Sequence, residues 1–379
     1  MMEKALTKSR FRHLAPITAT VAAVIVWMAA GDSRAFDETG FLHPEQRHEN
    51  VGELVTQIIE KSHYNRVAID DDFSSEVLDN FIESLDRNRM YLLRGDVEHF
   101  DSLRYKIDDM VRSRPLDPVF EMYEVYATRV RERLEFALTQ LETEPDYAID
   151  ESYQFDRSEE PWLETSAELD QVWRRRVKND ALNLALEGES WEKIRDVLSK
   201  RYKGFLRRLD QMNNDDVFER FMNAFARTLD PHSSYLSPRN SEEYRIQMSL
   251  SYFGIGASLQ TEDDFVKIAG IIAGGPAAID GTLKPEDKIT GVAQGVEGEV
   301  VDVIGWRLDD VVELIRGPAD SVVRLEFYPA NSLPGSPKEF VNLTRGQVQL
   351  EEQAAKSEVI KVTRDGREWR IGVIDVPSF

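Results

Sequence analysis

Cysteine is absent from this 379-residue sequence. Its absence excludes disulfide bonds, thiol nucleophiles and cysteine-ligated metal sites, but it does not identify a cellular compartment. Basic residues are also in the minority, because 47 Lys and Arg stand against 69 Asp and Glu, for a formal net charge of -22. No basic patch stands out, so a nucleic-acid partner is not expected. The chain is nevertheless long enough for two or three domains with real cores.

Long apolar runs are scarce, and the longest lies near the N-terminus. Four cations between residues 4 and 12 precede an uncharged run from Leu14 to Ala30, and Ser33-Arg34-Ala35 then supplies small residues at the two positions that a signal peptidase reads. Residues 1–35 are therefore predicted to be a secretory signal peptide. The alternative is an uncleaved inner-membrane anchor. We favour cleavage, because the apolar run is at the short limit for spanning a bilayer.

Helical periodicity dominates residues 36–240, which we interpret as one all-α domain. Apolar residues recur there at i, i+3, i+4 and i+7, as in the stripe Phe73, Val77, Leu78, Phe81, Ile82 and Leu85. In the last helix of this region, Asp216 and Glu219 are spaced as a capping box. Asp230-Pro231 is expected to end that helix, because proline disfavours the helical conformation in the preceding residue.

Glycine and short β-rich runs become frequent after residue 241. One amphipathic helix, which places Val311 and Leu314 on its core side, interrupts them and stops at Gly317-Pro318. This pattern predicts a small α+β barrel over residues 241–346. Its predicted strands are Gly256–Gln260, Phe265–Ile272, Lys288–Val292, Val322–Tyr328 and Phe340–Thr344.

Residues 347–379 are predicted to be a charged connector followed by one strand, Trp369–Pro377. A strand cannot stand alone. Either it pairs with a segment already described, or it opens a further domain that the sequence cuts short.

The stretch Tyr252-Phe253-Gly254-Ile255-Gly256-Ala257-Ser258-Leu259 is the most informative in the chain. Glycines let consecutive backbone N–H groups turn toward one point, and such a nest can hold a carboxylate. A strand edge beside it can pair with an extended peptide. The alternative is that the glycines only shape a tight turn and that the apolar residues are plain core. The predicted peptide-binding residues are Gly254, Ile255, Gly256, Ala257, Leu259, Leu308, Val312 and Ile315.

Longer motifs decide between these alternatives. The Gly254–Ala257 loop, followed by IAGGPAA at residues 272–278 and PEDKI at residues 285–289, resembles a bacterial PDZ domain. DPHSSYLSPRN at residues 230–240 and VDVIGWRLDDVV at residues 301–312 are similar to the tail-specific proteases, a family of C-terminal processing serine peptidases. The resemblance extends from about Val51 to Phe379. One departure is Glu286, which stands where PDZ domains usually place glycine, so the turn there is expected to differ in shape.

The resemblance implies a periplasmic serine endopeptidase without a cofactor. Such an enzyme binds proteins with nonpolar C-termini through its PDZ domain, cuts them in a separate protease domain by a Ser–Lys mechanism, and has a periplasmic adaptor protein as a possible partner. The family's catalytic serine and lysine lie beyond the segment that Ile371–Phe379 resembles, so this chain is expected to bind but not cleave. The alternative is a non-catalytic PDZ adaptor, a paralogue that captures tails.

Two groups of residues have side chains of the types found in catalytic triads and metal sites. Asp230, His232 and Ser234 have the residue types of a catalytic triad, but one short turn beside proline seldom gives triad geometry, so we interpret them as a structural turn. His43 and His48 lack a third ligand at a typical metal-site spacing and are expected to be a solvated pair. No catalytic or metal-binding residue is therefore predicted.

Overall fold

The computed structural model describes residues 42–113, 115–330, 332, 337–350, 355–364 and 366–376. The predicted signal peptide lies outside these residues. Within the described part of the chain, no helix has both the length and the apolar character that crossing a bilayer requires. Helices come first, a β-rich region with one long helix follows, and further strands end the chain. This order confirms the predicted α+β fold class.

Helices fill the chain from Gln46 to Ser249. They are α1 (Gln46–Ser62), α2 (Asp71–Asp86), α3 (Arg94–Phe100), a 3-10 turn (Asp101–Leu103), α4 (Ile107–Ser113), α5 (Asp117–Gln140), α6 (Ser166–Leu186), α7 (Trp191–Asp210), α8 (Asn214–Leu229) and α9 (Pro238–Ser249). Helix α9 crosses residue 240, where the helical domain was predicted to end.

The ends of α8 follow from local chemistry. The predicted capping box of Asp216 and Glu219 was wrong, because Asn213 is the N-cap and accepts a hydrogen bond from the Asp216 backbone N–H, 3.0 Å away. The helix therefore begins one turn earlier than the sequence pattern indicated. Glu219 instead accepts a 2.7 Å hydrogen bond from the Asn240 side chain at the start of α9. At the other end, α8 stops at Leu229, before Asp230-Pro231.

Two apolar clusters hold the helices together. In the first, Phe81 and Phe221 join α2 to α8 through an edge-to-face contact with 5.6 Å between ring centroids. In the second, which joins α5, α6 and α7, the buried Trp173 donates its indole N–H to the Met90 carbonyl at 2.7 Å. Helix α5 contributes to both clusters, so it ties them into one helical unit.

The β-rich region begins immediately after α9. Its elements are β1 (Ser251–Gly254), β2 (Ala257–Glu262), β3 (Phe265–Ile271), α10 (Pro276–Asp280), β4 (Lys288–Gln294), β5 (Val301–Asp302), α11 (Leu308–Ile315), β6 (Val322–Tyr328), β7 (Glu339–Thr344), β8 (Gly346–Gln349), β9 (Lys356–Arg364) and β10 (Arg367–Asp375). A six-stranded sheet has the order β2-β3-β4-β6-β7, with β5 paired to β4. In the described residues, β2 therefore forms one edge of this sheet.

Strand β8 was missed by the sequence pattern. It pairs antiparallel with β1, so that Ser251 faces Gln349 and Gly254 faces Gly346. Val348 is buried in this ribbon. The β-rich unit therefore continues past residue 346, where it was predicted to end. The strand was missed because four residues form too short a pattern to recognise.

The connector prediction was also wrong for residues 356–364. These residues form β9, which pairs along its whole length with β10, the strand that was predicted over Trp369–Pro377. Ile360 and Val362, with Lys361 between them, give the alternation of β-branched and charged residues that favours a strand. Most side chains of both strands are exposed, including Trp369 and Ile374.

Arginines connect the helical region to the β-rich region. Arg307, the N-cap of α11, donates to the Gln211 carbonyl at the end of α7, 3.0 Å away, and pairs with Asp216. Arg239 on α9 pairs with Asp310 on α11 at 2.6 Å. The C-terminal end of α7 and the first turn of α9 are thus held against one helix of the β-rich region.

Candidate functional site

The loop between β1 and β2 is held in a fixed shape by its neighbours. The Ile255 carbonyl accepts a hydrogen bond from the Ala277 N–H at 2.7 Å, and the Gly256 carbonyl accepts one from the Ile272 N–H at 2.8 Å. Gly256 has φ +75°, a left-handed conformation that favours glycine. A Cβ there would lie 2.9 Å from the Gly275 Cα, so the two backbones touch.

The backbone N–H groups of this loop differ from its carbonyl groups in their hydrogen bonding. Among the described residues, no hydrogen-bond acceptor is found for the backbone N–H of Ile255 or Gly256, although the carbonyls of both residues are occupied. Consecutive N–H groups beside a residue with left-handed φ form an anion-binding nest. The loop therefore has two N–H groups available for the predicted carboxylate, whose binding stays a prediction.

An open strand edge begins at this nest. In the described part of the chain, β2 pairs with β3 only, from Ala257 opposite Ile271 to Glu262 opposite Phe265. Helix α11 lies against β2. The space between them is the groove into which an extended peptide could add as another strand.

The predicted apolar residues fall into two groups. Ala257, Leu259 and Leu308 are partly buried and pack against the core of the β-rich region, and Val312 is also half-buried. Ile255 and Ile315 are buried, with 2% and 3% of their surface exposed, so they belong to the core itself. The structure thus brings the predicted residues together around β2 and α11. Their contact with a ligand remains a prediction.

The side of α11 assigned to the core agrees with the burial. Val311 is fully buried, and Leu314 is partly buried and packs against the same cluster. Leu314 follows Val311 by three positions along the helix, which places the two side chains on one face. Val312 follows Val311 directly, so its side chain points away from this face and lies at the groove.

Arg345 is a site residue that the sequence did not indicate. It is 2% exposed, and its guanidinium donates to the Leu314 and Ile315 carbonyls at the end of α11, at 3.0 and 2.8 Å. It also donates to the side chains of Gln294 and Ser321, at 2.7 and 2.9 Å. These acceptors are all uncharged, and burial lowers the pKa of Arg345. Arg345 therefore caps the groove helix, whose last carbonyls have no partner within the helix.

Glu286 shows that the expected change of turn shape was wrong. Its φ is +75°, so the turn keeps the left-handed conformation that glycine usually supplies. Its N–H donates to the Ile268 carbonyl at 2.7 Å, and its carboxylate accepts from Lys267 at 2.8 Å. The turn is imposed by the strands on either side rather than by the residue.

Glu286→Gly is therefore expected to unfold at higher denaturant concentration than Glu286→Ala. Both variants lose the contact with Lys267, but only alanine keeps the unfavourable left-handed conformation, which costs about 1 kcal/mol. Urea unfolding of the two variants measures the difference. Equal midpoints would show that the turn is not strained.

The structure places a His and a Ser beside Asp230, although they are not His232 and Ser234. Asp230 does join a His and a Ser, but these are His63 and Ser233, and the Ser233 hydroxyl donates directly to the Asp230 carboxylate at 2.6 Å. The His63 Nε2 atom lies 3.1 Å from Asp230 and 3.4 Å from Ser233. A catalytic base must use different ring nitrogens for the acid and the nucleophile. The group is a structural turn, as expected for this segment.

The expected solvation of His48 was wrong. The ring is 3% exposed and stacks on Phe218 with 4.7 Å between centroids. Its Nε2 atom lies 2.7 Å from the Asp215 carboxylate, and its Nδ1 atom accepts from the Glu45 N–H at 3.0 Å. Within the described residues, no cluster of three metal-ligating side chains is present. His48 therefore joins α1 to α8 as a packing residue.

Comparisons with known proteins agree with this architecture. A family model described as "Tail specific protease N-terminal domain" matches residues 55–239, and one described as "PDZ domain" matches residues 243–327. A tail-specific protease of Haemophilus influenzae is 40% identical over 328 residues, which are 86% of this chain and 46% of that protein. The carboxy-terminal processing protease CtpA of Bacillus subtilis is 27% identical over 48% of this chain and 36% of that protein.

One solved structure is similar in sequence to part of this chain. It is the PDZ domain of a carboxy-terminal protease from Vibrio cholerae in complex with a peptide, with 46% sequence identity and a TM-score of 0.25. The match covers 27% of this chain and 100% of that one. The chain spans less than half of the length of the Haemophilus and Bacillus relatives.

Proposed function

Because this chain is homologous to the tail-specific proteases through its helical region and its PDZ domain, we propose that it captures the nonpolar C-terminal tails of protein substrates. The groove between β2 and α11 is the binding site. The observation that carries this proposal is the meeting of an open strand edge with two unpaired N–H groups, those of Ile255 and Gly256. An extended C-terminus supplies a backbone that can pair with the strand edge and a carboxylate that can accept from the two N–H groups.

Each part of the groove has one task in this proposal. The nest at Ile255 and Gly256 binds the terminal carboxylate, and the edge of β2 forms main-chain hydrogen bonds with the tail. Leu308 and Val312, which are only half-buried, contact the last side chain. Small or apolar last residues are favoured, because a charged one would lose its hydration against this surface.

The captured protein would then be cut by acyl transfer in the family's protease domain, where a serine is activated by a lysine. We place this enzyme in the periplasm, on the basis of the signal-like segment of residues 1–35. A periplasmic adaptor protein is a further proposed partner, and the helical region is its proposed docking site.

Amidation of the tail is the sharpest test of carboxylate binding. A peptide ending in Ala-Ala is expected to bind the chain at least about tenfold more tightly than the same peptide with a C-terminal amide, because hydrogen bonds to a charged group contribute about 1.5–3 kcal/mol. Isothermal titration with both peptides measures the ratio. Equal affinities would overturn carboxylate capture.

Val312→Glu tests the apolar wall of the groove in the same assay. The variant is expected to weaken binding about tenfold, whereas Val296→Glu, at an exposed site on the same domain, should have no effect. Ile255 is less suitable for this purpose, because a charge at a position with 2% exposure would unfold the core. Equal binding by the two variants would place the tail elsewhere.

A further inference from the structure

A bound tail would leave the groove over a basic face of α7, and we infer from this that the protein selects nonpolar tails that are preceded by an acidic segment. This inference rests on the proposed function, since it specifies which tails the groove binds best. Three observations carry it: the direction of the tail, the position of α7 and the charges at the cleft between them.

The direction of the tail follows from the position of the nest. The nest precedes β2, so a carboxylate bound there places the end of the tail beside Ala257. Upstream residues then run antiparallel to β2 toward Glu262. A strand advances about 3.3 Å per residue, so about six tail residues cover β2. The seventh and earlier residues, counted from the C-terminus, pass beyond the β2–β3 turn.

Helix α7 is held at this end of the groove. Arg207 on α7 lies 3.7 Å from the Asp264 carboxylate in the β2–β3 turn. Arg307, directly before α11, donates to the Gln211 carbonyl at the C-terminal end of α7, 3.0 Å away. Helix α7 therefore lies beside the exit of the groove.

A cleft of about 410 Å³ lies between α7 and the β2–β3 turn. It is lined by Lys200, Lys203, Leu206, Arg207, Asp210 and Asp263. The three cations occupy positions i, i+3 and i+7, which share one helix face, and all three are exposed. The expectation that no basic patch stands out was therefore wrong for this face, because the acidic overall composition hides the basic run KRYKGFLRR at residues 200–208.

The cations have capacity for a further partner. Within the described residues, Lys203 has no ion-pair partner, and Lys200 contacts only Asp196, a solvent-exposed neighbour on its own helix, at 3.2 Å. Two carboxylates also line the cleft: Asp210, which is engaged by Arg131, and Asp263 in the β2–β3 turn. Because the lining holds three cations and two carboxylates, an acidic segment in the cleft would still meet a small local excess of positive charge.

Net charge and local charge predict opposite preferences. The chain carries a formal charge of -22, so long-range attraction favours a basic tail. Only the α7 face favours an acidic one. At physiological salt the screening length is about 8 Å, so contacts in the cleft outweigh charges further away.

The experiment compares three fluorescent peptides that share a nonpolar last segment ending in Ala-Ala. Their seventh to tenth residues from the C-terminus are Glu, Ser or Lys. Anisotropy titration of the chain is expected to show the Glu peptide binding about fivefold more tightly than the Ser peptide, as a few surface charge contacts allow. The Lys peptide is expected to bind most weakly, and the differences should shrink at high salt.

A pair of double variants locates the effect. Lys200→Gln with Lys203→Gln should abolish the preference for the Glu peptide. Lys193→Gln with Arg201→Gln removes the same charge from exposed positions on α7 outside the cleft and should preserve it. Equal binding of the three peptides, or tighter binding of the Lys peptide, would overturn the inference and leave the proposed function intact. If even the shared nonpolar segment alone fails to bind, the proposed function itself is wrong.

Discussion

An Arg345→Met variant is expected to lose about 3 kcal/mol of the stability of the β-rich region. Methionine fills much of the volume but donates no hydrogen bond, so the Leu314 and Ile315 carbonyls and the Gln294 and Ser321 side chains each lose the hydrogen bond from Arg345. Hydrogen bonds to a charged donor contribute about 1.5–3 kcal/mol each, part of which is offset because a guanidinium no longer has to be buried.

Hydrogen exchange measured by mass spectrometry is the appropriate test, because it resolves the amides of α11 from the rest of the chain. Protection in Leu308–Ile315 should fall in Arg345→Met and remain unchanged in Arg364→Met, which removes an exposed arginine from β9. Tail binding should weaken in parallel, since α11 forms one wall of the groove. If the two variants exchange alike, Arg345 does not hold the helix.

Gly256→Ala is expected to abolish tail binding, with an affinity at least about thirtyfold lower than that of the unchanged chain. The new Cβ combines two costs. It forces a non-glycine residue into the left-handed conformation, for about 1–2 kcal/mol, and it approaches the Gly275 Cα to 2.9 Å, where only backbone is present to move. Separation of the two backbones would open the nest.

Gly274→Ala is the matched control for this variant. Gly274 has φ +77°, close to that of Gly256, but nothing lies within 4 Å of its Cβ position. It therefore carries the conformational cost without the clash, and tail binding should change by no more than a few fold. Titration of both variants with the Ala-Ala peptide separates the two costs. Equal losses would mean that the contact between Gly256 and Gly275 does not shape the site.

Local patterns in the sequence predicted most of the architecture around the groove. Strand β6 was predicted with its observed bounds, Val322–Tyr328, and α8 ends before Asp230-Pro231 as expected. The loop at Gly256 was recognisable because its special backbone geometry requires a particular residue type. Glu286 marks the limit of this reasoning, since the flanking strands impose a left-handed turn on a residue that does not favour it.

Residues with long-range partners were not predictable in this way. Nothing beside Arg345 in the sequence indicates that it will donate to carbonyls about thirty positions away, and His48 meets Asp215 across a much longer separation. The cations of α7 lie in a run without acidic residues at positions 200–208, but their place beside the β2–β3 turn depends on contacts with a segment far along the chain.

The sequence by itself determined the helical region, most strands of the six-stranded sheet and the glycine loop, because periodicity, capping and backbone conformation depend on neighbouring residues. Only the tertiary structure decided that α11 is capped by Arg345 and that α7 stands at the exit of the groove. Those features depend on contacts between segments far apart in the chain, which no local pattern encodes.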